Sequence, residues 1–248
     1  DLKVSRATIW RHLTAQGLVT AEPRKRPRTS YIRFAAELPN ECWQADFTHH
    51  RLADGTDTEI LTFLDDCSRL ALLVTVHRRV TGPIVTTAFA EAAADHGIPA
   101  STLTDNGMVF TTRLSGGKGG RNGFESELAR LGVIQKNSRP NHPTTCGKVE
   151  RFQQTLKKWL RSRPPAATIA ELQAHVDEFV DYYNHHRPHR SLANRATPAT
   201  IYRTRPKATP TGRDDPHLRV RHDRIDKTGA VTLRHNGRLH HIGIGRAH

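Results

Sequence analysis

The sequence predicts an α/β domain whose mixed sheet lies between helices, and three observations support this prediction. Three strand-like segments follow one another over residues 42–76 with no helical period between them. Helix-like and strand-like segments then alternate as far as residue 138, and two amphipathic helices follow, so that the predicted order is βββαβαβαα. A chain of 248 residues, 36% of them hydrophobic, is long enough for one main core with small appendages.

The first three strands are predicted from apolar alternation and turn residues. "CWQADFTHHRL" runs into an Asp-Gly pair, which is typical of a hairpin turn. The next two strands lie within "EILTFLDDCSRLALLVTV", which is rich in β-branched and aromatic residues. We expect a packing role for Trp43 and Phe47.

The later elements are predicted from helix-end residues and apolar faces. "GPIVTTAFAEAAADHG" has Pro83 near its start and Gly97 at its end. The helix "FESELARLG" separates two short strands, "ASTLTDNG" and "VIQKNS". The helices in "GKVERFQQTLKKWL" and "TIAELQAHVDEFVDYYNHH" each have one apolar face, and Thr168 with Glu171 predicts a capping box at the start of the second.

Both ends of the chain suggest smaller DNA-contacting parts. Residues 5–17 predict a short helix on which Arg6 and Arg11 lie off the apolar stripe, as on the second helix of a helix-turn-helix, although a plain surface helix fits equally well. The chain starts without Met and stops within a strand-like pattern, so we expect an excerpt of a longer protein. We predict a partial helix-turn-helix over 1–20, a basic linker over 21–40, the main core over 41–205, a linker over 206–216 and a basic β module over 217–248.

The charge of the chain favours a polyanionic partner. Lys and Arg number 38 against 24 acids, the formal net charge is +14, and the pI is near 10.4, which favours nucleic acid over a membrane. The basic linker, with Arg24, Lys25 and Arg26, either follows phosphates or is a solvated tether, and the β module either contacts DNA or has only a charged face. No apolar run approaches the roughly 20 residues of a membrane span and no signal segment opens the chain, so we expect a cytosolic protein.

The cysteines and histidines do not predict a metal site of their own. Cys42, Cys67 and Cys146 are odd in number and far apart, so we expect reduced thiols rather than a disulfide framework or a thiolate zinc site. The 16 histidines scatter or cluster in loop-like stretches.

Three carboxylates on separate elements indicate chemistry. Asp46 lies inside the first strand, where Asp is disfavoured, Asp105 follows the fourth strand, and Glu150 lies in the first turn of a helix. An exposed edge or a turn cap would explain either aspartate alone. Three carboxylates together form the oxygen ligand set that Mg²⁺ accepts, and they would otherwise repel one another.

The motifs around these acids resemble a known family. "WQADFT", "TDNG" and "HPTTCGKVERFQQTLK", followed by "YYNHHRPHRSL" and "TPATIY", resemble a bacterial insertion-sequence transposase with a retroviral-integrase-type catalytic core over about residues 40–205. The resemblance implies a ribonuclease-H-like five-stranded sheet and a DDE triad in which Asp46, Asp105 and Glu150 bind two Mg²⁺ ions, with Mn²⁺ as a substitute. Because "LDDCSR" resembles the end of the family's second strand, it also implies a turn role for Asp65 and Asp66. It further implies that a homo-oligomer, a dimer or tetramer, cuts transposon ends and joins them to target double-stranded DNA in the bacterial cytosol, in association with the nucleoid.

The sequence also departs from the family pattern. The 44 residues between Asp105 and Glu150 exceed the usual spacing, which we attribute to an insertion around "SGGKGGRNG". Cys146 stands where relatives have Gln, which puts DNA contacts from that loop in doubt. Further DNA-contact candidates near the acids are Asn106, His142, Lys148 and Lys157. The alternatives to a transposase are a metal nuclease that does not join DNA and a catalytically silent DNA-binding protein.

Overall fold

The computed structural model describes residues 4–18, 36–112, 120–137, 147–211, 225, 228–235 and 238–245. The chain divides into two compact units, residues 1–35 and 36–248. The strands are β1 (Trp43–Arg51), β2 (Asp57–Asp65), β3 (Ala71–His77), β4 (Ser101–Thr104), β5 (Ile134–Asn137), β6 (Ala230–His235) and β7 (Arg238–Gly243). The helices are α1 (Arg6–Ala15), α2 (Gly82–His96), α3 (Gly123–Arg130), α4 (Gly147–Leu160), α5 (Ile169–Asp181) and α6 (Pro198–Thr204).

The main unit contains the predicted mixed sheet. Its five strands have the order β3-β2-β1-β4-β5, with antiparallel pairs β1/β2 and β2/β3 and parallel pairs β1/β4 and β4/β5. Gly55, at φ 84°, lies in the turn that joins β1 to β2, and this positive φ is accessible to glycine at little cost. The parallel strands need longer crossovers, which α2 and α3 supply. The α/β prediction and the five strands are therefore confirmed.

Two hydrophobic clusters cover the two faces of the sheet. On one face, Trp43 and Phe63 pack against α2 and α3 through Phe89 and Phe124. The other cluster combines strand residues such as Ile60 with the apolar faces of α4 and α5, which contribute Val149, Phe152, Leu156, Leu160, Leu172, Val176 and Phe179, and with Tyr183 just after α5. Both predicted apolar faces are buried, so α4 is anchored on the sheet over its whole length.

Several helix ends agree with the sequence, and one differs. Gly97 ends α2 with φ 84°, and the Thr168 hydroxyl accepts a hydrogen bond from the Glu171 backbone N–H at 3.1 Å. The predicted capping box is incomplete, because the Glu171 carboxylate accepts from the backbone N–H of Ala167 at 2.7 Å rather than from Thr168. A full capping box forms instead at α3, between Asn122 and Glu125.

The main unit begins earlier than predicted. Ala36 and Asn40 are buried, and their backbone N–H groups donate to Asp66 at 2.7 Å and Asp65 at 2.8 Å. The last five residues of the expected 21–40 linker therefore pack on the core. The backbone N–H of Ala208, inside the expected 206–216 linker, likewise donates to the carbonyl of Pro39 at 2.8 Å.

The predicted short elements at both ends are present. In α1 the Ser5 side chain accepts from the Thr8 backbone N–H, as expected of a cap. Strands β6 and β7 form an antiparallel pair at the other end. Over the described ranges, no helix combines the length and the apolar character that crossing a membrane would require.

Candidate active site

Strand pairing brings the two aspartates together. Asp46 lies in β1, and Asp105 directly follows the last residue of β4. These strands are parallel neighbours in which Ala45 is opposite Thr104, so that Asp46 and Asp105 occupy adjacent positions in the register. Residues far apart in the chain thus meet near the middle of the sheet.

The Asp105 carboxylate is held by its own turn. Its Oδ1 accepts a hydrogen bond from the backbone N–H of Gly107 at 2.9 Å, as in an Asx-turn. A Cβ on Gly107 would lie 3.0 Å from the same oxygen, so a larger residue would push the carboxylate aside. Asn137 supports the turn from β5, since its Nδ2 donates to the Asp105 carbonyl at 3.3 Å.

The third acid, Glu150, is exposed in the first turn of α4. The residue before it, Val149, is fully buried and its backbone N–H donates to Gln44 Oε1 at 3.1 Å. The N-terminal end of a helix favours an anion, because its backbone N–H groups point outward there. Glu150 therefore lies on a helix turn that is attached to β1.

Asp46 is influenced by both other acids. Burial, with smaller contributions from the charges of Asp105 and Glu150, raises the pKa of Asp46 to about 6 against the opposing effects of the Phe47 backbone N–H and the Gln153 side chain. The Phe47 N–H donates to Asp46 Oδ1 at 2.8 Å. A half-buried carboxylate next to two others binds a proton or a cation more readily than an isolated one does.

The donor chemistry suits a divalent cation, but the arrangement is open. Three carboxylates are oxygen donors of the kind that Mg²⁺ and Mn²⁺ prefer. Within the ranges that the structure describes, no group of three or more His, Cys, Asp or Glu side chains is close enough to hold a metal ion. The charges of Asp105 and Glu150 thus affect the pKa of Asp46, but the three side chains do not form a closed set of metal ligands.

Lys148 forms an ion pair that the sequence did not indicate. Its Nζ pairs with Asp66 Oδ2, and the two side chains are 19% and 1% exposed. A DNA phosphate would have to compete with this buried carboxylate for Lys148. Asp65 and Asp66, for which a turn role was expected, are buried acceptors in a hydrogen-bond network as well.

Lys157 lies farther along α4 in a basic cleft that the sequence did not indicate. The cleft is lined by His49, His50, Arg51, Asp57, Lys157 and Arg161. Burial and then the charge of Lys157 lower the pKa of His50. Strand alternation, which places residues 46, 48 and 50 on one face, and the four-residue step from Lys157 on α4 to Arg161 directly after it were signals that could have revealed it.

The remaining DNA-contact candidates have different outcomes. Asn106 lies in the turn after β4, next to Asp105. Arg11 is exposed on α1, and its Nε donates to the carbonyl of Ala7 at 3.4 Å; Arg6 begins the same helix. The candidates that lie outside the described residues are Arg24, Lys25, Arg26 and His142, together with Cys146.

The sheet order, with Asp46 in β1, Asp105 directly after the parallel neighbour β4 and Glu150 on a helix that packs on β1, is that of a ribonuclease-H-like core. Two family models, both described as Integrase core domain, match residues 36–143 and 131–198. The chain belongs to the integrase-core family.

Two relatives from insertion elements support this assignment. An uncharacterized 31.7 kDa protein of insertion element IS407 from Burkholderia multivorans is 28% identical over 187 residues, which are 74% of this chain and 64% of that protein. An uncharacterized 39.2 kDa protein of insertion element IS476 from Xanthomonas euvesicatoria is 28% identical over 173 residues, 68% of this chain and 47% of that protein. The resemblance to insertion-sequence transposases with a retroviral-integrase-like core is confirmed, and this chain spans less than two thirds of either relative.

A solved structure supports the fold. In the simian T-cell lymphotropic virus intasome, determined in complex with PP2A regulatory subunit B56 gamma, one chain aligns with 92% of this chain and 84% of its own length. The TM-score is 0.57 at 21% sequence identity.

Proposed function

We propose that this protein is a DDE-type DNA transposase that cuts phosphodiesters at transposon ends and joins the 3′-hydroxyl ends to target DNA. The observation that supports the proposal is the register of β1 with β4 in an integrase core, which gives Asp46 and Asp105 adjacent positions, together with the contributions of the Asp105 and Glu150 charges to the raised pKa of Asp46. The proposed ligands of two Mg²⁺ or Mn²⁺ ions are these three carboxylates.

The chemistry requires an aligned nucleophile and neutralised charge on the phosphate. Bound in pairs, divalent ions supply both, as in other two-metal sites. The carboxylates of Asp46 and Asp105 would hold the scissile phosphate's cations against a rigid sheet, and Glu150 would close the site from α4. In cleavage a water oxygen attacks phosphorus and the 3′-oxygen of the transposon end leaves; in joining that 3′-oxygen attacks a target phosphate and a target 3′-oxygen leaves.

The basic cleft offers a place for the DNA backbone. Lys157 lies on the same helix as Glu150, Arg161 directly follows that helix, and His50 and Arg51 lie on the same strand as Asp46. Cationic side chains on or next to the elements that carry the acids would bind phosphates beyond the scissile one and fix the register of the duplex. The net charge of +14 supports DNA as the partner. We further propose a dimer or tetramer, because two transposon ends must be held as a pair while each is joined to target DNA.

We expect Glu150→Gln and Asp105→Asn to abolish Mg²⁺- or Mn²⁺-dependent cleavage and joining of labelled DNA that carries the inverted repeats flanking the gene. Each change keeps the shape but removes a charge that a cation needs. DNA affinity, measured by fluorescence anisotropy, should stay within a few-fold of wild type. Glu91→Gln, in an exposed acid on α2, is the matched control and should retain activity.

The same assay separates the alternatives. Cleavage without joining by the wild type would favour a metal nuclease. Binding without either reaction, with both metals, would favour a silent DNA-binding protein. A Glu150→Gln variant that still cuts would remove Glu150 from the site.

Metal affinity should weaken at acidic pH. Because the pKa of Asp46 is raised to about 6, this group is largely protonated below that pH, and a cation must displace the proton. We expect the Mn²⁺ affinity, measured by calorimetric titration, to level off above pH 7 and to fall steadily between pH 6 and pH 5, by up to about tenfold for one proton displaced. An affinity that is constant from pH 5 to pH 8 would contradict the assignment of Asp46.

A further inference from the structure

We propose that Gln44, Asp66 and Lys148 are positioning residues that set the first turn of α4, and with it Glu150, against the strand that carries Asp46. This inference rests on the proposed function, since it concerns the placement of the third acid. None of the three is one of the proposed metal ligands.

Gln44 joins the strand to the helix. Its side chain lies two residues before Asp46 on β1, so both side chains point to the same face of the sheet. Gln44 is 2% exposed; its Oε1 accepts from the Val149 backbone N–H at 3.1 Å, and its Nε2 donates to Asp66 Oδ1 at 2.7 Å. The Val149 N–H is one of the first N–H groups of α4, which have no partner within the helix.

Asp66 provides a second attachment one residue earlier. Besides Gln44, its carboxylate accepts from the Ala36 backbone N–H at 2.7 Å and pairs with Lys148. A carboxylate with a side chain only 1% exposed is stable there because these donors compensate its lost hydration. Burial lowers the pKa of Lys148, while its bond to Asp66 raises it.

The two attachments immediately precede Glu150. Lys148 and Val149 hold the helix start to β1 and to the β2–β3 turn, so the backbone that carries Glu150 cannot fray without breaking buried polar contacts. Positioning matters for this chemistry, since displacements of about 1 Å can lower an enzyme's rate by roughly 10²-fold. A network with a purely structural role would instead affect the stability of the fold alone.

Three substitutions by methionine separate these roles. Gln44→Met and Lys148→Met keep unbranched side chains but remove the polar contacts to α4. The matched control is Gln173→Met, because Gln173 also bridges a helix to the sheet: its Oε1 accepts from the Val76 N–H at 2.7 Å and its Nε2 donates to the Val74 carbonyl at 3.0 Å. Gln173 lies on α5 and bonds the edge strand β3, not the helix of Glu150.

The measurements are the joining rate, Mn²⁺ affinity, melting temperature and amide hydrogen exchange of the chain. We expect Gln44→Met and Lys148→Met to lower the joining rate by about 10- to 100-fold. Both should weaken Mn²⁺ binding and speed exchange at residues 147–151. Gln173→Met should lower the melting temperature comparably but keep the rate within a few-fold, and Lys148→Arg, which retains the charge, should recover most of the lost activity.

The outcomes that would overturn the proposal are distinct from failure of the proposed function. Joining rates and Mn²⁺ affinities of Gln44→Met and Lys148→Met equal to those of Gln173→Met would reduce the network to a structural role. If the wild type itself neither cuts nor joins DNA, the proposed function fails, and amide hydrogen exchange of the Gln44→Met and Lys148→Met variants then tests the positioning role. Faster exchange confined to residues 147–151 supports that role. Unchanged or uniformly faster exchange refutes it. If Lys148→Met does not fold, Gln44→Met carries the test, because it leaves the ion pair in place.

Discussion

Asp46→Asn is expected to abolish DNA cleavage and joining while it raises the stability of the metal-free protein at pH 7. The variant loses the central carboxylate of the proposed site. It also relieves a penalty, because burial and two neighbouring acids raise the pKa of Asp46 to about 6, compared with an ordinary value of about 3.9. A shift of this size corresponds to at most about 3 kcal/mol in favour of the neutral group, so we expect a gain of about 1 to 3 kcal/mol in the free energy of unfolding.

The pH dependence of the free energy of unfolding tests the direction of this stability change. For a carboxyl group whose pKa is raised on folding, the stabilising contribution is complete below about pH 4 and is lost as the pH rises through about 6. The stability difference between Asp46→Asn and wild type should therefore grow from pH 4 to pH 7 in urea unfolding without metal. Asp95→Asn, in an exposed acid on α2, is the control and should show no such trend. A variant that joins DNA, or that is less stable than wild type at pH 7, would contradict the role of Asp46.

Asp65→Ala should cause a large loss of stability, about 2 to 4 kcal/mol. Asp65 is fully buried, and its carboxylate accepts from the Asn40 N–H at 2.8 Å and from the N–H and hydroxyl of Ser68 at 2.7 and 2.6 Å. Its removal leaves these donors without a partner, at about 1 to 3 kcal/mol for each that water cannot reach. Burial also raises the pKa of Asp65, so that the ionised carboxylate is itself unfavourable in the wild type at pH 7. Its removal relieves this cost, which makes the net loss of stability smaller.

Urea unfolding at pH 7 measures this effect. Ser68→Ala, which removes only the hydroxyl donor, should cost less than Asp65→Ala, and Asp57→Ala, in an exposed acid paired with Arg51, should change stability by under about 1 kcal/mol. Equal effects of Asp65→Ala and Asp57→Ala would show that the buried network does not stabilise the β2–β3 turn.

The order and type of the elements could be predicted because their signals are local. Strand alternation, the Asp-Gly turn and Gly97 at the end of α2 depend on residues within a few positions of one another. The apolar residues of α4 and α5 repeat at helical spacing, and they are buried as that spacing predicts. The predicted capping box at Thr168 was wrong because an equally local competitor, the Ala167 N–H, donates to the same glutamate carboxylate.

The role of Lys148 could not be predicted in this way. A lysine beside a proposed catalytic acid suggests DNA contact, yet Asp66, which lies 82 residues earlier in the chain, binds it. Nothing in the local sequence distinguishes a lysine that faces solvent from one that faces a buried carboxylate. The basic cleft around Lys157 was missed for the same reason, since His50 and Arg51 come from β1 and meet α4 only in the folded chain.

By itself, therefore, the sequence determined the elements, the α/β class and the three acids that resemble a DDE triad, because propensity, periodicity and short motifs are local properties. Only the tertiary structure decided which side chains surround those acids. The register of β1 with β4 placed Asp105 beside Asp46, and the packing of α4 on β1 brought Gln44 to Val149 and the charge of Glu150 to Asp46. Such pairings depend on long-range contacts between strands and helices, and burial then sets the charge state of the groups that meet.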